Sequence, residues 1–426
     1  MIGRPKTRRT VLAVLAGTLV AAQGAFTAGT AQTAPSSPVT IELYGIASGG
    51  WQPVIDDFQA KYPSITVKWT KFGVDDLKQA LRVGASSRRM PTMWYNWGGT
   101  LASPYNEAGL SLDATDLLKQ AGIDKQLNTT ALQLAGEDGK VRGFPYRLLP
   151  TGIFYRKDIF EQNGIAVPKT FAEVEAAADA LAKKNVVPFA TGGKFGWMTM
   201  RYMDYLIEHF AGPEKHDTLK ALDASWESPE VVKAYAKLKE WTDKGYFNKG
   251  FITVDPTTAV TMLYGGQAAM VMEGPGIEAS RLLRDNVDRS RWGTFVPPTD
   301  RQPQRAMGYI TQLQVSANAP REQREAAALF LQFLADPANA TKYLPNLGGP
   351  SAVLGAKYGA DLSLSRVWVD LLESGLKMFL PADQGLPQEL VSVYFETNDS
   401  VILGNITPQQ AAAQMEAAVK RYKAQR

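Results

Sequence analysis

Four glycine- or proline-rich stretches carry aromatic side chains at places where a chain could meet a ligand. They are Gly49-Gly50-Trp51, Trp94-Tyr95-Asn96-Trp97-Gly98-Gly99, Gly143-Phe144-Pro145-Tyr146-Arg147 and Gly196-Trp197. An aromatic ring in a loop is an apolar platform, and the C–H faces of a sugar ring are apolar too. The sugar's hydroxyls then need planar hydrogen-bonding groups around that platform. Trp51, Asn96, Trp97, Tyr146, Arg147 and Trp197 supply the mix. A ligand carboxylate or phosphate would instead favour Arg147 as a forked partner. Glu273 ends the apolar run AAMVM and precedes Gly274-Pro275-Gly276, so it reads either as a ligand hydrogen-bonder or as a structural acid beside a hinge. Tryptophan is more often core than platform. Trp69, Trp226, Trp241, Trp292 and Trp368 are assigned to packing; Trp241, for one, shares a helix face with Tyr235 and Leu238.

Other chemistries are narrowed by what the chain contains. It has no cysteine, which excludes disulfides, thiolate zinc sites, iron–sulfur clusters and cysteine nucleophiles. Its two histidines, His209 and His216, have no metal-ligand spacing and read as surface or helix-end residues. There is no GxSxG elbow, no GxxxxGK[ST] phosphate loop and no GxGxxG after a strand. A pair of distant carboxylates, as in a glycoside hydrolase, leaves no local spacing, and that reading stays open. No catalytic residue, metal or cofactor is assigned. The net charge of +4 comes from Arg4, Lys6, Arg8 and Arg9; without them 42 basic residues face 42 acidic ones. A nucleic-acid partner is therefore not expected.

The elements that must position these residues alternate along 426 residues. Residues 1–31 read as an export signal: a basic start, the apolar run VLAVLAGTLVAA and small residues around Ala31. Arg8-Arg9 gives it a twin-arginine look, with Sec export still open, and the absence of cysteine argues against a lipoprotein. A periplasmic location is expected. Then come the strand VTIELY, a helix from Trp51 to Tyr62, the strand ITVKW, a helix from Asp75 to Val83 and a short strand at Thr92 to Trp94. This β-α-β-α-β order implies a parallel sheet covered by helices. Further on, strands are expected at Gly152 to Tyr155, Val186 to Phe189, Ala268 to Met272 and Leu313 to Ser316. Helices begin at the Thr170 capping box and at Ser228-Pro229. There are too many units for one compact sheet, so two α/β lobes are expected, with crossings near Arg147–Thr151 and Pro298–Arg305. The expected limits are 38–146 plus 305–350 for one lobe and 147–304 plus 351–426 for the other.

Several segments, taken in order, resemble the extracellular solute-binding proteins of ABC sugar importers, the family that includes maltose-binding protein. They are FQAKYPSITV from Phe58, GKVRGFPY from Gly139, IFYRKDIFEQNGIAVPKTF from Ile153, GGQAAM from Gly265, the run Ala326 to Pro337, and Gly348-Gly349-Pro350. The resemblance implies a two-lobed periplasmic-binding-protein fold of type II, a hinge of two or three strands and a ligand cleft between the lobes. It implies a carbohydrate ligand delivered to ABC permease transmembrane subunits, and a monomer. Carried over onto this sequence, the cleft would be lined by Tyr44, Trp51, Asn96, Trp97, Tyr146, Arg147, Glu273, Gly274, Asn346 and Gly348, with Tyr309 and the segment near Phe379 and Leu380 as weaker carry-overs. Arg147 stands where an acidic or small residue is frequent in the family, and Arg156 where asparagine is usual. An acidic ligand, such as a uronate oligosaccharide or a glycerol phosphodiester, remains the alternative.

Overall fold

Strand β1 (Val39–Ile46) alternates, with Val39, Ile41 and Leu43 buried and Thr40 and Glu42 exposed, so one face is committed to a core. It pairs in parallel with β2 (Ile65–Phe72) and with β3 (Met93–Trp97), and helices Gln52–Lys61 and Val74–Ser86 make the crossovers. The computed structural model describes residues 35–137 and 139–425. The expected export signal at residues 1–31 lies outside the described residues. Among them, no helix is long and apolar enough to cross a membrane.

The remaining strands are a small hairpin, β4 (Gly136–Glu137) and β5 (Lys140–Val141), then β6 (Phe144–Arg156), β7 (Val187–Phe189), β8 (Ala268–Glu273), β9 (Trp292–Phe295), β10 (Arg305–Val315) and β11 (Lys377–Phe379). The large sheet runs β2-β1-β3-β10-β6-β8-β7, with β11 on β10 and β9 on β6. The fold is α/β and two-lobed. Of the two largest apolar cores, one gathers Leu43, Trp51, Phe58, Trp94 and Phe330. The other gathers Ile153, Phe189, Tyr202, Trp241 and Tyr394.

Two long antiparallel strands serve both cores. All 13 residues of β6 are buried; Phe144 and Tyr146 belong to the first core, and Ile153 and Tyr155 to the second. β10 lies against it from Met307 opposite Thr151 to Leu313 opposite Phe144. The sequence predicts only the far ends of these strands, and in β6 the reason is that Pro145 and Pro150 read as punctuation. In the structure Pro145 sits at a register shift opposite Gln312, and Pro150 lies opposite Gly308. A bulge is one of the few places where a sheet tolerates the missing N–H of proline.

One expectation is corrected here. His216 is 1% exposed, not a surface residue: its Nδ1 lies 2.7 Å from Glu208 Oε2, deep in the second lobe. His209 is half-buried and stacks on Phe171 at 3.7 Å. Ile207 to Phe210 and the buried face of the following helix draw both rings inward, a tertiary effect that local polarity does not announce.

Candidate functional site

The main cavity, about 300 Å3, opens between the two cores. Each contributing element delivers side chains through its own periodicity. On β3 the side chains of Tyr95 and Trp97 point to the cavity and meet edge to face at 4.9 Å. On β6, Arg147 and Leu149 share the cavity face. The helix Trp197–Ala211 starts at Gly196, whose φ of +75° is a conformation suited to glycine, and this turn aims Trp197, Met200 and Arg201 at the cavity. Glu273 and Gly274 come from the end of β8, Tyr309 from β10, and Asp383 and Gln384 from the segment after β11.

The inner cations are committed. Arg147 Nε donates to Thr311 Oγ1 at 2.9 Å, and its Nη1 donates to the Leu347 carbonyl; the Tyr95 hydroxyl is a further partner. Arg201 Nη1 donates to the Met272 carbonyl at 2.8 Å and lies 3.1 Å from Glu273 Oε1. Lys78 pairs with Asp75 at 3.2 Å and sits over the Trp97 ring at 5.2 Å. Arg281, half-exposed, donates from Nη2 to Thr257 Oγ1 at 3.3 Å. By contrast, Asp383 Oδ1 is buried without a hydrogen-bond partner among the described residues, as are Gln384 Oε1 and the Trp197 Nε1 donor. Burial pushes the Asp383 carboxyl up, against the pull of Lys78 and Arg201 and of a hydrogen bond from the Gln384 side chain to the same carboxyl group. The site therefore holds unfilled hydrogen-bonding capacity among aromatic rings; Arg201 and Lys78 are paired with carboxylates, while Arg147 is held by neutral oxygens.

Of the twelve residues singled out from the sequence, Trp97, Arg147, Trp197, Glu273, Gly274 and Tyr309 line this cavity. The other six do not. Trp51 is fully buried, packed edge to face on Tyr146 at 5.1 Å and against Phe330 at 6.2 Å. Tyr146 faces that core because it alternates with Arg147 along β6. Asn96 alternates with Tyr95 and Trp97, so its amide points the other way and donates to Gln314 Oε1 at 2.8 Å. Tyr44 packs on Phe72 at 5.1 Å, and Ile46 and Ser48 take the place expected for it. Asn346 presses its carbonyl against Gly50, and Gly348 backs Gly276 and Ala279. Arg147 Nε and Nη1 serve Thr311 and Leu347, with the Tyr95 hydroxyl a further partner, so a ligand anion would meet an arginine already partly engaged.

Tyr95, Lys78, Met200, Arg201 and Asp383 were not singled out. Two of them had a signal. Arg201 follows Trp197 by one helical turn, and Tyr95 precedes Trp97 by one strand period, so each shares its neighbour's face. Asp383 had none, because its place depends on how the segment after β11 docks.

The sequence profile described as "Bacterial extracellular solute-binding protein" matches residues 54–362. An uncharacterized ABC transporter extracellular-binding protein of Pyrococcus horikoshii is 24% identical over 255 residues, 58% of this chain; the match spans 59% of that relative's length. The sn-glycerol-3-phosphate-binding periplasmic protein of Escherichia coli is 27% identical over 339 residues, 72% of this chain and 73% of its own. Among solved structures, a chitin oligosaccharide binding protein superposes with a TM-score of 0.81 at 22% identity, covering 91% of this chain and 99% of its own. A protein solved in work on xylan utilization by Caldanaerobius polysaccharolyticus gives a TM-score of 0.81 at 22% identity, with coverages of 89% and 99%. With the profile spanning most of its length, this chain belongs to the bacterial extracellular solute-binding protein family.

Proposed function

We propose that the protein is the periplasmic substrate-binding component of an ABC importer, holding a neutral sugar or short oligosaccharide between its lobes and passing it to the membrane permease. The observation that carries this reading is the pairing of unpartnered Asp383 Oδ1 with a cavity whose inner cations are already bonded. A sugar hydroxyl can donate to that oxygen, which a carboxylate or phosphate group cannot do, and the Trp97 and Trp197 rings suit the apolar faces of a pyranose. Similar folds described as binding chitin oligosaccharide, stachyose and galactopyranose support the ligand class. The two lobes are 38–146 with most of 305–350, and 147–304 with most of 351–426; the chain exchanges lobes along β6 and β10. Ligand shifts the lobes toward closure by its differential affinity for the closed form, without breaking a covalent bond. Residues 1–31 are the export signal, and the protein acts as a monomer.

A second reading has one observation behind it. Among the described residues Arg281 makes no salt bridge, although its charge acts on Asp285, and an sn-glycerol-3-phosphate-binding relative exists, so an acidic ligand would enter through that residue. A thermal-shift screen separates the two. The panel is D-galactose, stachyose, xylotriose and N,N'-diacetylchitobiose against D-galacturonate and sn-glycerol 3-phosphate. The sugar reading expects a neutral member to raise the melting temperature; stabilisation by the acidic members alone would replace it.

A further inference from the structure

The segment that carries Asp383 is held from behind, on the side away from the cavity. β11 pairs in parallel with the start of β10, Phe379 opposite Met307. As the chain leaves β11, the Leu380 carbonyl accepts from Lys220 Nζ. Two residues on, the Ala382 N–H donates to Asp204 Oδ2 at 2.7 Å, and the Asp383 N–H meets Met200 Sδ at 3.2 Å. Pro381 lies between the two charged contacts, with its φ fixed by the ring. A cation thus holds the carbonyl before the proline, and an anion holds the amide after it. Asp204 is fully buried, and its other oxygen accepts from Tyr394 at 2.8 Å. One helix, Trp197–Ala211, presents Trp197 and Arg201 to the cavity and Asp204 to the back of the same wall.

We propose that Asp204 and Lys220 are positioning residues of the cavity: together they clamp Leu380 to Ala382 and so fix the Asp383 carboxylate in the wall. The importance of Asp383 to a ligand rests on the sugar reading above; the clamp itself does not. Neither residue lines the cavity.

The clamp carries its own pH window. The groups facing Asp204 are Lys220 from the helix Pro213–Lys220, Tyr394 from Gln388–Ile402, Asp383 from the clamped segment and Tyr235 from Pro229–Asp243. Those facing Lys220 are Asp204, Glu208, Asp217, Arg305 and His216, with the Phe379 ring 4.4 Å below its Nζ. Burial raises Asp204 to about 6 and lowers Lys220 to about 8. Both contacts are charge-assisted only between those limits. As pH falls through about 6, the anion that holds the Ala382 amide is neutralised; above about 8, the cation on Leu380 is lost.

Amide hydrogen exchange on the unliganded full-length protein, corrected for intrinsic exchange rates, tests this directly. The Ala382 amide should exchange about tenfold faster in Asp204→Ala than in wild type at pH 7, and faster in wild type at pH 5 than at pH 7. Asp204→Asn keeps an acceptor for that amide, so its protection should survive at pH 7 while the acid-dependent loss disappears. Lys220→Met should loosen the same segment and serves if Asp204→Ala does not fold. Unchanged protection of Ala382 in folded Asp204→Ala or Lys220→Met, or the same acid-dependent loss in Asp204→Asn, overturns the clamp. If protection falls as expected but no neutral sugar of the panel binds wild type, the clamp stands and the sugar reading fails.

Discussion

Arg201 lies over the Trp197 ring, its guanidinium carbon 4.8 Å from the ring centroid. The two residues are one helical turn apart and wall the same cavity. The ring shields one face of the cation, and Glu273 balances its charge, so the indole is held rigid where a sugar would stack. A preset platform lowers the entropic cost of closing on a ligand.

Trp197→Ala should therefore weaken binding of whichever panel sugar stabilises wild type by about tenfold or more, through lost stacking and a freed Arg201. Calorimetric titration of the variant checks this; an unchanged dissociation constant would remove Trp197 from the site.

Asp383→Ala removes the buried acceptor without touching the aromatic walls. Affinity for a neutral sugar should fall about tenfold to a hundredfold, and sn-glycerol 3-phosphate should bind no worse than before. Competition assays against both probes give the ratio. A fall shared equally by both would mean Asp383 acts on the fold rather than on the ligand.

Trp51→Ala should behave in the opposite way. The ring sits in the first core between Tyr146 and Phe330, so truncation should cost about 3–5 kcal/mol of stability. Urea unfolding measures the loss. Sugar preference across the panel should be unchanged in the folded variant.

These three residues show what was legible in the chain. The β-α-β-α-β start follows from alternating and helical periodicities, and the structure has strands at Val39–Ile46, Ile65–Phe72 and Met93–Trp97 with helices between them. The Thr170 cap is present as read: its side chain accepts from the Glu173 amide. The extent of β6 was hidden because proline in a central strand is excusable only once the opposite strand is known. In the candidate site, residue type was readable and direction was not. A loop glycine before Trp51 and before Trp197 looks the same in sequence, yet one ring enters a core and the other a cavity wall. Asn96 was separable from Trp97 by strand period alone. Asp383 and its supports at Asp204 and Lys220 come together from three distant segments, which no local pattern encodes.

Acid sensitivity follows from the buried pair behind β10. Burial lowers His216 from 6.5 to about 4, so the folded state resists a proton that the unfolded chain accepts. Burial alone would raise Glu208, but hydrogen bonds from His216 and Arg305 outweigh it and hold the carboxyl at about 2. Both signs agree. The His216 contribution is complete above pH 6.5 and is lost as pH falls toward 4; the Glu208 contribution is complete above 4.5 and is lost toward 2. Unfolding free energy should drop by on the order of 3 kcal/mol between pH 7 and pH 4 from His216, and His216→Gln should flatten that limb. Chemical denaturation across this range is the check; an identical slope in the variant would assign the acid sensitivity to other groups.

The central claim is that the two lobes hold a neutral sugar and release it unaltered. Calorimetric titration of the panel sugars, followed by chromatography of the recovered ligand, tests it most directly. The account predicts saturable one-to-one binding of at least one neutral sugar, recovered intact. Binding of none of them, or recovery of cleaved glycan, would contradict it.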